Sequence, residues 1–137
     1  MVNLKTVRLV PNEPKYYETI RLLRTHPENQ KGFVEQVSIT KEQQESYMLK
    51  YEKNYWICLH EETPIGFIGE IDGDIRFAVN PRLKGRGIGT YMVQELIKIT
   101  QDVYAKVLHE NTSSQKVFEK CGFKEFKRDE NFIYFKL

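Results

Sequence analysis

The chain has 137 residues, the length of one ordinary domain, and its apolar share of 40% is enough to build a core without disulfides or a metal. Its 21 basic and 19 acidic residues leave a net charge of +2, which argues against a nucleic-acid partner. No stretch approaches the roughly 20 apolar residues of a membrane span, and the start lacks the apolar run of a signal peptide. We therefore expect one cytoplasmic domain over residues 1–137, with no membrane partner and no metal.

Hydrophobic periodicity predicts strands and helices in alternation, without repeats, linkers or low-complexity segments. The predicted strands are 6–10, 55–60, 65–71, 74–79, 104–109, 123–128 and 131–137. The predicted helices begin near Tyr16, Thr40, Ile88 and Thr112. A meander of strands followed by βαβ units predicts an α/β fold with one mixed sheet and helices on its faces.

Local signals define several ends of these elements. Thr40 and Gln43 have the spacing of a capping box, Asp72-Gly73 is a tight-turn signal, and Gly122 is expected to end the last helix. The helix after residue 87 places apolar residues on one face at Ile88, Met92, Leu96 and Ile99.

A glycine-rich, basic loop follows the strand 74–79. Between Asp74 and Glu95 there is no acidic residue, but there are four cations and three glycines: Arg76, Arg82, Lys84, Arg86, Gly85, Gly87 and Gly89. Glycines let consecutive N–H groups face an anion, and the following helix adds its positive dipole end. The alternative is a loop that only turns the chain, with solvated cations.

The spacing separates this loop from other phosphate loops. The Gly-Lys-Ser/Thr ending of a P-loop is absent, and Met92 stands where a dinucleotide fingerprint needs its third glycine. The sequence of residues 79–89 instead resembles the signature loop of the GCN5-related N-acetyltransferases, whose pattern is Gln or Arg, two residues, Gly, one residue, Gly or Ala. Lys84, Gly87 and Gly89 occupy those positions, so this chain has a lysine where the pattern has glutamine or arginine.

The family's second motif is matched downstream by Asn111, Ser114, Glu119, Lys120, Gly122 and Phe123. The resemblance spans residues 55–137, whereas residues 1–54 agree only in their strand–helix–helix layout. It implies a single-domain, mostly antiparallel sheet of about 6–7 strands with about four helices on its faces. It also implies an acetyl-CoA-dependent N-acetyltransferase.

The resemblance assigns roles to particular residues. The coenzyme pyrophosphate would lie on Lys84, Gly85, Arg86, Gly87, Ile88, Gly89 and Thr90. The pantetheine would run as an extra strand beside Phe77, Ala78 and Val79, with the Phe77 N–H on the acetyl carbonyl. Asn111 and Ser114 would contact the pantetheine, although capping of the last helix is an alternative role for Asn111.

The sequence offers three candidates for the general base. Relatives often supply a glutamate from the region before the acyl-binding strand, but the commonest such position here is Gly73. The nearby carboxylates are Asp72, Asp74 and Glu70, any of which would accept the amine's proton. Asp72 and Asp74 also flank a turn, where aspartate is favoured for local hydrogen bonds.

The acid that protonates the leaving thiolate is also in question. Many relatives carry a tyrosine seven residues after the motif asparagine, where this chain has Phe118. The thiolate would leave unassisted or receive a proton from Ser114, Tyr134 or water. Ser114 is the preferred donor because its hydroxyl can relay a proton.

The acceptor is expected to be a primary amine bound by residues 12–54. The stretch 38–44, followed by Tyr47 and Tyr51, faintly resembles acetyltransferases that act on amino sugars linked to nucleotides. The residues after Ser114 also resemble acetyltransferases of protein N-termini. An amino sugar is the first expectation, a protein α-amine or a non-catalytic acyl-CoA-binding module the alternatives, and a homodimer remains open.

Overall fold

A computed structural model gives the structure of residues 4–30 and 39–137. Its strands are β1 (Val7–Pro11), β2 (Tyr55–His60), β3 (Thr63–Ile71), β4 (Asp74–Val79), β5 (Tyr104–Leu108), β6 (Lys124–Arg128) and β7 (Phe132–Lys136). Its helices are α1 (Tyr17–Thr25), α2 (Pro27–Gln30), α3 (Lys41–Tyr51), α4 (Ile88–Ile99) and α5 (Thr112–Lys120). The seven predicted strands and four predicted helices are confirmed, and the short α2 was not predicted. Ser38, in the stretch compared with amino-sugar enzymes, lies outside the described residues.

The strands form one sheet in the order β1-β2-β3-β4-β5-β7-β6. All neighbours are antiparallel except β4 and β5, which run in parallel. This is the mixed, mostly antiparallel sheet that the sequence predicts. Pro11 ends β1 at the sheet edge, where the missing N–H costs no ladder bond.

Two apolar cores lie on opposite faces of the sheet. The larger core includes α4 and α5 residues together with Ile75 and Val79 of β4. The smaller core includes Ile20 of α1 and Met48 of α3, together with Ala78 of β4. Successive side chains of a strand point to opposite faces, so β4 contributes to both cores.

The predicted helix and turn signals act as expected. Thr40 Oγ1 accepts from the Gln43 N–H at 3.1 Å and Gln43 Oε1 from the Thr40 N–H at 2.9 Å, a complete capping box. Gly122 follows α5 with a φ of +90°. Ile88, Met92 and Leu96 are buried as the apolar face of α4 predicts, whereas Ile99, the last residue of the helix, is 53% exposed.

Candidate active site

The site begins where β4 and β5 separate. The two strands pair at one position, Asp74 with Tyr104, and the Tyr104 N–H donates to the Gly73 carbonyl at 2.8 Å. A groove with a volume of about 730 Å³ extends beyond this pair, between the end of β4 and the start of α5. The single pair therefore marks the closed end, or apex, of a V-shaped opening in the sheet.

The last residues of β4 offer backbone groups to this groove. Phe77, Ala78 and Val79 all line it. The Asn80 N–H donates to the Ile65 carbonyl on β3 at 2.8 Å. Because N–H groups alternate in direction along a strand, the N–H groups of Phe77 and Val79 point away from β3 and toward the groove.

The glycine loop closes the other end of the groove. Its groove-lining residues are Lys84, Gly85, Gly87, Ile88, Gly89 and Thr90. Gly87 precedes α4 with a φ of +83°, a left-handed conformation that glycine adopts without a steric penalty. The Tyr91 N–H is the first to bond back to Gly87, so the N–H groups of residues 88–90 have no acceptor within the helix.

Gly89 brings α4 close to β4 and α5. A Cβ atom at this residue would lie 3.0 Å from Cε2 of Phe77 and 3.4 Å from Cγ2 of Val117. Glycine here therefore permits a close approach that holds the start of α4 against the groove. No acidic residue occupies the first turn of α4, so its positive dipole end is not neutralised by its own helix.

The two loop cations have different positions. Lys84 lines the groove, and its Nζ donates to the Glu28 carbonyl at 3.4 Å. Arg86 is exposed and is not among the residues that line the groove. Sequence reasoning missed Lys116 and Lys120, which line the groove from α5; their spacing of four residues on one helix is a signal that was available.

Asn111 and Ser114 lie at the start of α5, and both line the groove. The Asn111 side chain accepts the Ser114 N–H at 3.2 Å, so Asn111 caps the helix while facing the groove. Phe118 is only 2% exposed, and its ring lies 5.8 Å from that of Phe77. Tyr134, the other tyrosine considered as an acid, is not among the groove-lining residues and donates to Asp129 Oδ2 at 2.9 Å.

The three candidate carboxylates have different surroundings. Glu70 Oε2 accepts the Gly73 N–H at 2.8 Å and so stabilises the β3–β4 turn. Asp72 is exposed within that turn, with a φ of +53°. Asp74 is half-buried at the apex of the V. None of the three is among the residues that line the groove.

Asp74 has the environment of a tuned acid. Burial raises the pKa of Asp74 above its ordinary value, and the nearby cations Arg76 and Lys106 oppose this rise. Arg76 Nη2 lies 3.2 Å from Asp74 Oδ2. A carboxylate whose pKa is raised is a stronger base than an exposed aspartate once it is deprotonated.

Within residues 4–30 and 39–137, no group of three or more His, Cys, Asp or Glu is arranged to hold a metal ion. The helices of the same residues include none that is long and apolar enough to cross a membrane. The two cysteines are not disulfide-bonded; Cys58 is buried.

Several solved structures share this fold. A spermidine N-acetyltransferase from Vibrio cholerae, solved with CoA and spermine, has a TM-score of 0.80 at 15% identity and covers 96% of this chain and 94% of its own. A Salmonella typhimurium protein solved with its cofactor acetyl-CoA has a TM-score of 0.74 at 13% identity, covering 96% and 93%. A ribosomal L7/L12 alpha-N-protein acetyltransferase, solved with coenzyme A, has a TM-score of 0.74 at 13% identity, covering 95% and 92%.

No curated protein matches the chain by sequence. The sequence model of the acetyltransferase (GNAT) family, however, matches residues 16–123, which is most of the chain and includes β4, the glycine loop and α5. Fold and sequence thus agree, and the chain belongs to the GNAT family of acetyl-CoA-dependent acetyltransferases.

Proposed function

We propose that this protein transfers the acetyl group of acetyl-CoA to a primary amine, with the coenzyme in the groove between β4 and β5. One observation carries the proposal: the groove joins the uncapped N-terminus of α4 to the last three residues of β4, the strand that begins at Asp74. The helix N-terminus suits a polyanion, and the strand leads from the groove toward the half-buried carboxylate of Asp74. The bound CoA and acetyl-CoA of the Vibrio cholerae and Salmonella typhimurium proteins support the assignment.

The glycine loop would bind the pyrophosphate of the coenzyme. The N–H groups of residues 88–90 supply hydrogen bonds, and the Lys84 ammonium supplies charge. Lys116 and Lys120 add positive charge from the facing side of the groove. Arg86 would contribute mainly to the long-range potential, because it is exposed and lies off the groove lining.

The pantetheine arm would continue the sheet beside β4. The N–H groups of Phe77 and Val79 point into the groove and suit an extended ligand that adds to a strand edge. In this position the Phe77 N–H donates to the thioester carbonyl and stabilises the oxyanion that forms when an amine attacks.

Proton transfer is assigned to Asp74 and Ser114. The acceptor ammonium loses a proton to the Asp74 carboxylate, and its lone pair forms the new C–N bond at the thioester carbon. Collapse of the tetrahedral intermediate breaks the C–S bond, releases the thiolate and frees the second proton of the attacking nitrogen, which the amide product cannot keep. Ser114, which lines the groove, relays this proton to the sulfur. Glu70 is a weaker candidate for the base because its carboxylate already accepts the Gly73 N–H.

The first candidate for the acceptor is an amino sugar, because residues 38–44 together with Tyr47 and Tyr51 resemble acetyltransferases that act on amino sugars. The α-amine of a protein is the second candidate. The solved relatives named above act on a polyamine and on a ribosomal protein, so likeness of fold favours neither acceptor for this chain.

Two measurements on the purified protein test the proposal. Calorimetry with CoA and acetyl-CoA measures coenzyme binding, and release of free thiol from acetyl-CoA measures transfer across amino sugars, polyamines, aminoglycosides and peptide N-termini. We expect saturable CoA binding and thiol release with at least one amine. Binding without thiol release with any amine would favour a non-catalytic acyl-CoA-binding module, and absence of CoA binding would overturn the proposal.

A further inference from the structure

A charged cluster lies at the apex of the V, on the sheet face opposite α4 and α5. Asp74 and Arg76 share one face of β4 with Ala78, which belongs to the core under α1 and α3. On β5, Ala105 and Val107 are buried in the core under α4 and α5, so Tyr104 and Lys106 point to the opposite face. This face of the apex therefore carries side chains from both separating strands.

The acceptor must reach the apex from this face if the coenzyme occupies the groove. On the other face, Ile75 and Ala105, the neighbours of the apex pair on the two strands, are buried in the core under α4 and α5. Arg76 and Asp74 are about a third exposed, at 34% and 29% of their side-chain surface. An incoming amine would thus meet these two side chains before it meets the thioester.

Among the side chains of the cluster itself, Arg76 and Lys106 both act on the one carboxylate of Asp74. A further carboxylate, Asp72, acts on Tyr104 from the exposed β3–β4 turn. Arg76 donates a hydrogen bond to Asp74 at 3.2 Å and also interacts with the hydroxyls of Tyr55 and Tyr47, whereas its Nε is buried without a partner among the described residues. Lys106 Nζ lies 4.2 Å from the ring centroid of Phe132, which positions the ammonium without neutralising it.

A positive cluster does not suit an acceptor that is only a cation. One carboxylate facing two cations attracts an ammonium weakly, whereas a planar guanidinium beside an ammonium suits a carboxylate or phosphate. We propose that Arg76 and Lys106 bind an anionic group of the acceptor, so that the substrate of this enzyme is an amine that also carries a carboxylate or a phosphate.

This inference rests on the proposed function and narrows its substrate class. A phosphorylated amino sugar satisfies it, as does an amino acid with a free carboxylate, whereas a polyamine such as spermidine does not. In either case the anion lies on Arg76 and Lys106, and the amine beside Asp74.

Matched acceptor pairs test the inference. Glucosamine 6-phosphate is compared with glucosamine, and glutamine with its α-carboxamide, by thiol release and by calorimetric binding to the CoA-saturated protein. We expect the member that carries the phosphate or carboxylate to exceed the member that lacks it about tenfold in kcat/KM or in affinity in at least one pair. The pair that responds identifies phosphate or carboxylate as the recognised group. Equal behaviour of both members in every pair, or preference for spermidine, would overturn the inference.

Variants assign the effect to the two cations. Arg76→Gln and Lys106→Gln should each lower kcat/KM or affinity for the preferred anionic acceptor about tenfold and raise its KM more than they lower kcat. Neither should change the affinity for CoA. Arg76→Lys should recover part of the loss, because it keeps the charge and loses the planar fork.

Lys127→Gln is the matched control, because Lys127 also lies over an aromatic ring, that of Tyr134 at 4.9 Å, but on β6 at the sheet edge. Lys127→Gln should leave kcat/KM and affinity unchanged for both members of the acceptor pair. If Lys127→Gln and Lys106→Gln have the same effect, the recognition is a general surface field and the inference fails. If Arg76→Gln does not fold, Lys106→Gln alone decides. If no amine is acetylated, the proposed function fails, and the binding of the acceptor pairs still decides the inference.

Discussion

The free edge of β4 and the face of β4 that carries Asp74 and Arg76 offer different kinds of surface to the two proposed ligands. At the edge, the N–H groups of β4 and of the first turn of α4 would bind the coenzyme, together with a loop that glycine makes accessible. On the face, the surface consists of side chains from two strands, with Asp74, Arg76 and Lys106 in one charged cluster. The coenzyme is common to the family, so a fixed backbone surface suits it. Replaceable side chains suit an acceptor that differs between relatives.

The largest expected effect is at Asp74, where loss of catalysis should be separable from coenzyme binding. Asp74→Asn removes the proposed base and keeps the shape, so we expect kcat to fall on the order of 10²-fold while CoA affinity stays within about twofold. Thiol release and calorimetry measure the two quantities. Asp72→Asn is the control, because Asp72 is exposed in the neighbouring turn. If kcat falls to a similar extent in both variants, Asp74 is not the general base.

The pH profile sharpens the same assignment. The base works when deprotonated, so activity should fall as the pH drops through the pKa of Asp74, which burial raises above its ordinary value. Arg76 opposes that rise, so Arg76→Gln should raise the pKa of Asp74 further and move the acidic limb of kcat/KM to higher pH. The acidic limb of the kcat/KM profile is measured with an acceptor that carries no anionic group. If Arg76→Gln leaves this limb at the same pH, a group other than Asp74 determines it.

On the coenzyme side, the loop cations provide a paired test. Lys84→Ala should weaken CoA binding about tenfold, since Lys84 lines the groove and offers a charged hydrogen bond to the pyrophosphate. Arg86→Ala removes the same charge two residues away but off the groove lining, and should cost clearly less. Calorimetry at two salt concentrations compares them. A larger loss for Arg86→Ala would show that it, as the sequence pattern suggested, contacts the coenzyme.

Ser114 lies at the junction of coenzyme and chemistry. Ser114→Ala should lower kcat about fivefold and weaken CoA binding by no more than about twofold. The effect on kcat is modest because a thiolate leaves more easily than an alkoxide and needs less help from an acid. Ser113→Ala is the control, since Ser113 also lines the groove. A fully active Ser114→Ala enzyme would remove the proton-relay assignment and leave unassisted departure of the thiolate.

The smallest expected effect concerns the scaffold of the acceptor side. Thr40→Ala removes half of the capping box of α3 and should lower the free energy of unfolding by about 1 kcal/mol. Thr40→Ser should restore most of it. Denaturant unfolding measures the change, and CoA affinity should be unaffected because α3 lies across the sheet from α4. A loss of CoA affinity would show that the two faces are not independent.

The same difference explains what the sequence could predict. The loop at residues 84–89 and the Asn111 cap are contiguous segments whose chemistry is local, so the resemblance to the family could assign them to the coenzyme site from the sequence. The cluster at the apex was not predicted, because Arg76 and Lys106 are brought together by the parallel pairing of β4 and β5 and by the alternation of both strands. Lys116 and Lys120 had a helical spacing, but only the tertiary fold shows that they face the loop across the groove.

The single backbone pair between Asp74 and Tyr104 also has a kinetic consequence. Among the residues that the structure describes, no other strand pairing joins the β1–β4 half of the sheet to the β5–β7–β6 half. A coenzyme lying beside Phe77 and Val79 would bridge the two halves of the sheet and form one wall of the acceptor pocket. We therefore expect ordered addition, with acetyl-CoA binding before the amine and the acetylated product leaving before CoA. Such an order would make CoA a competitive inhibitor with respect to acetyl-CoA.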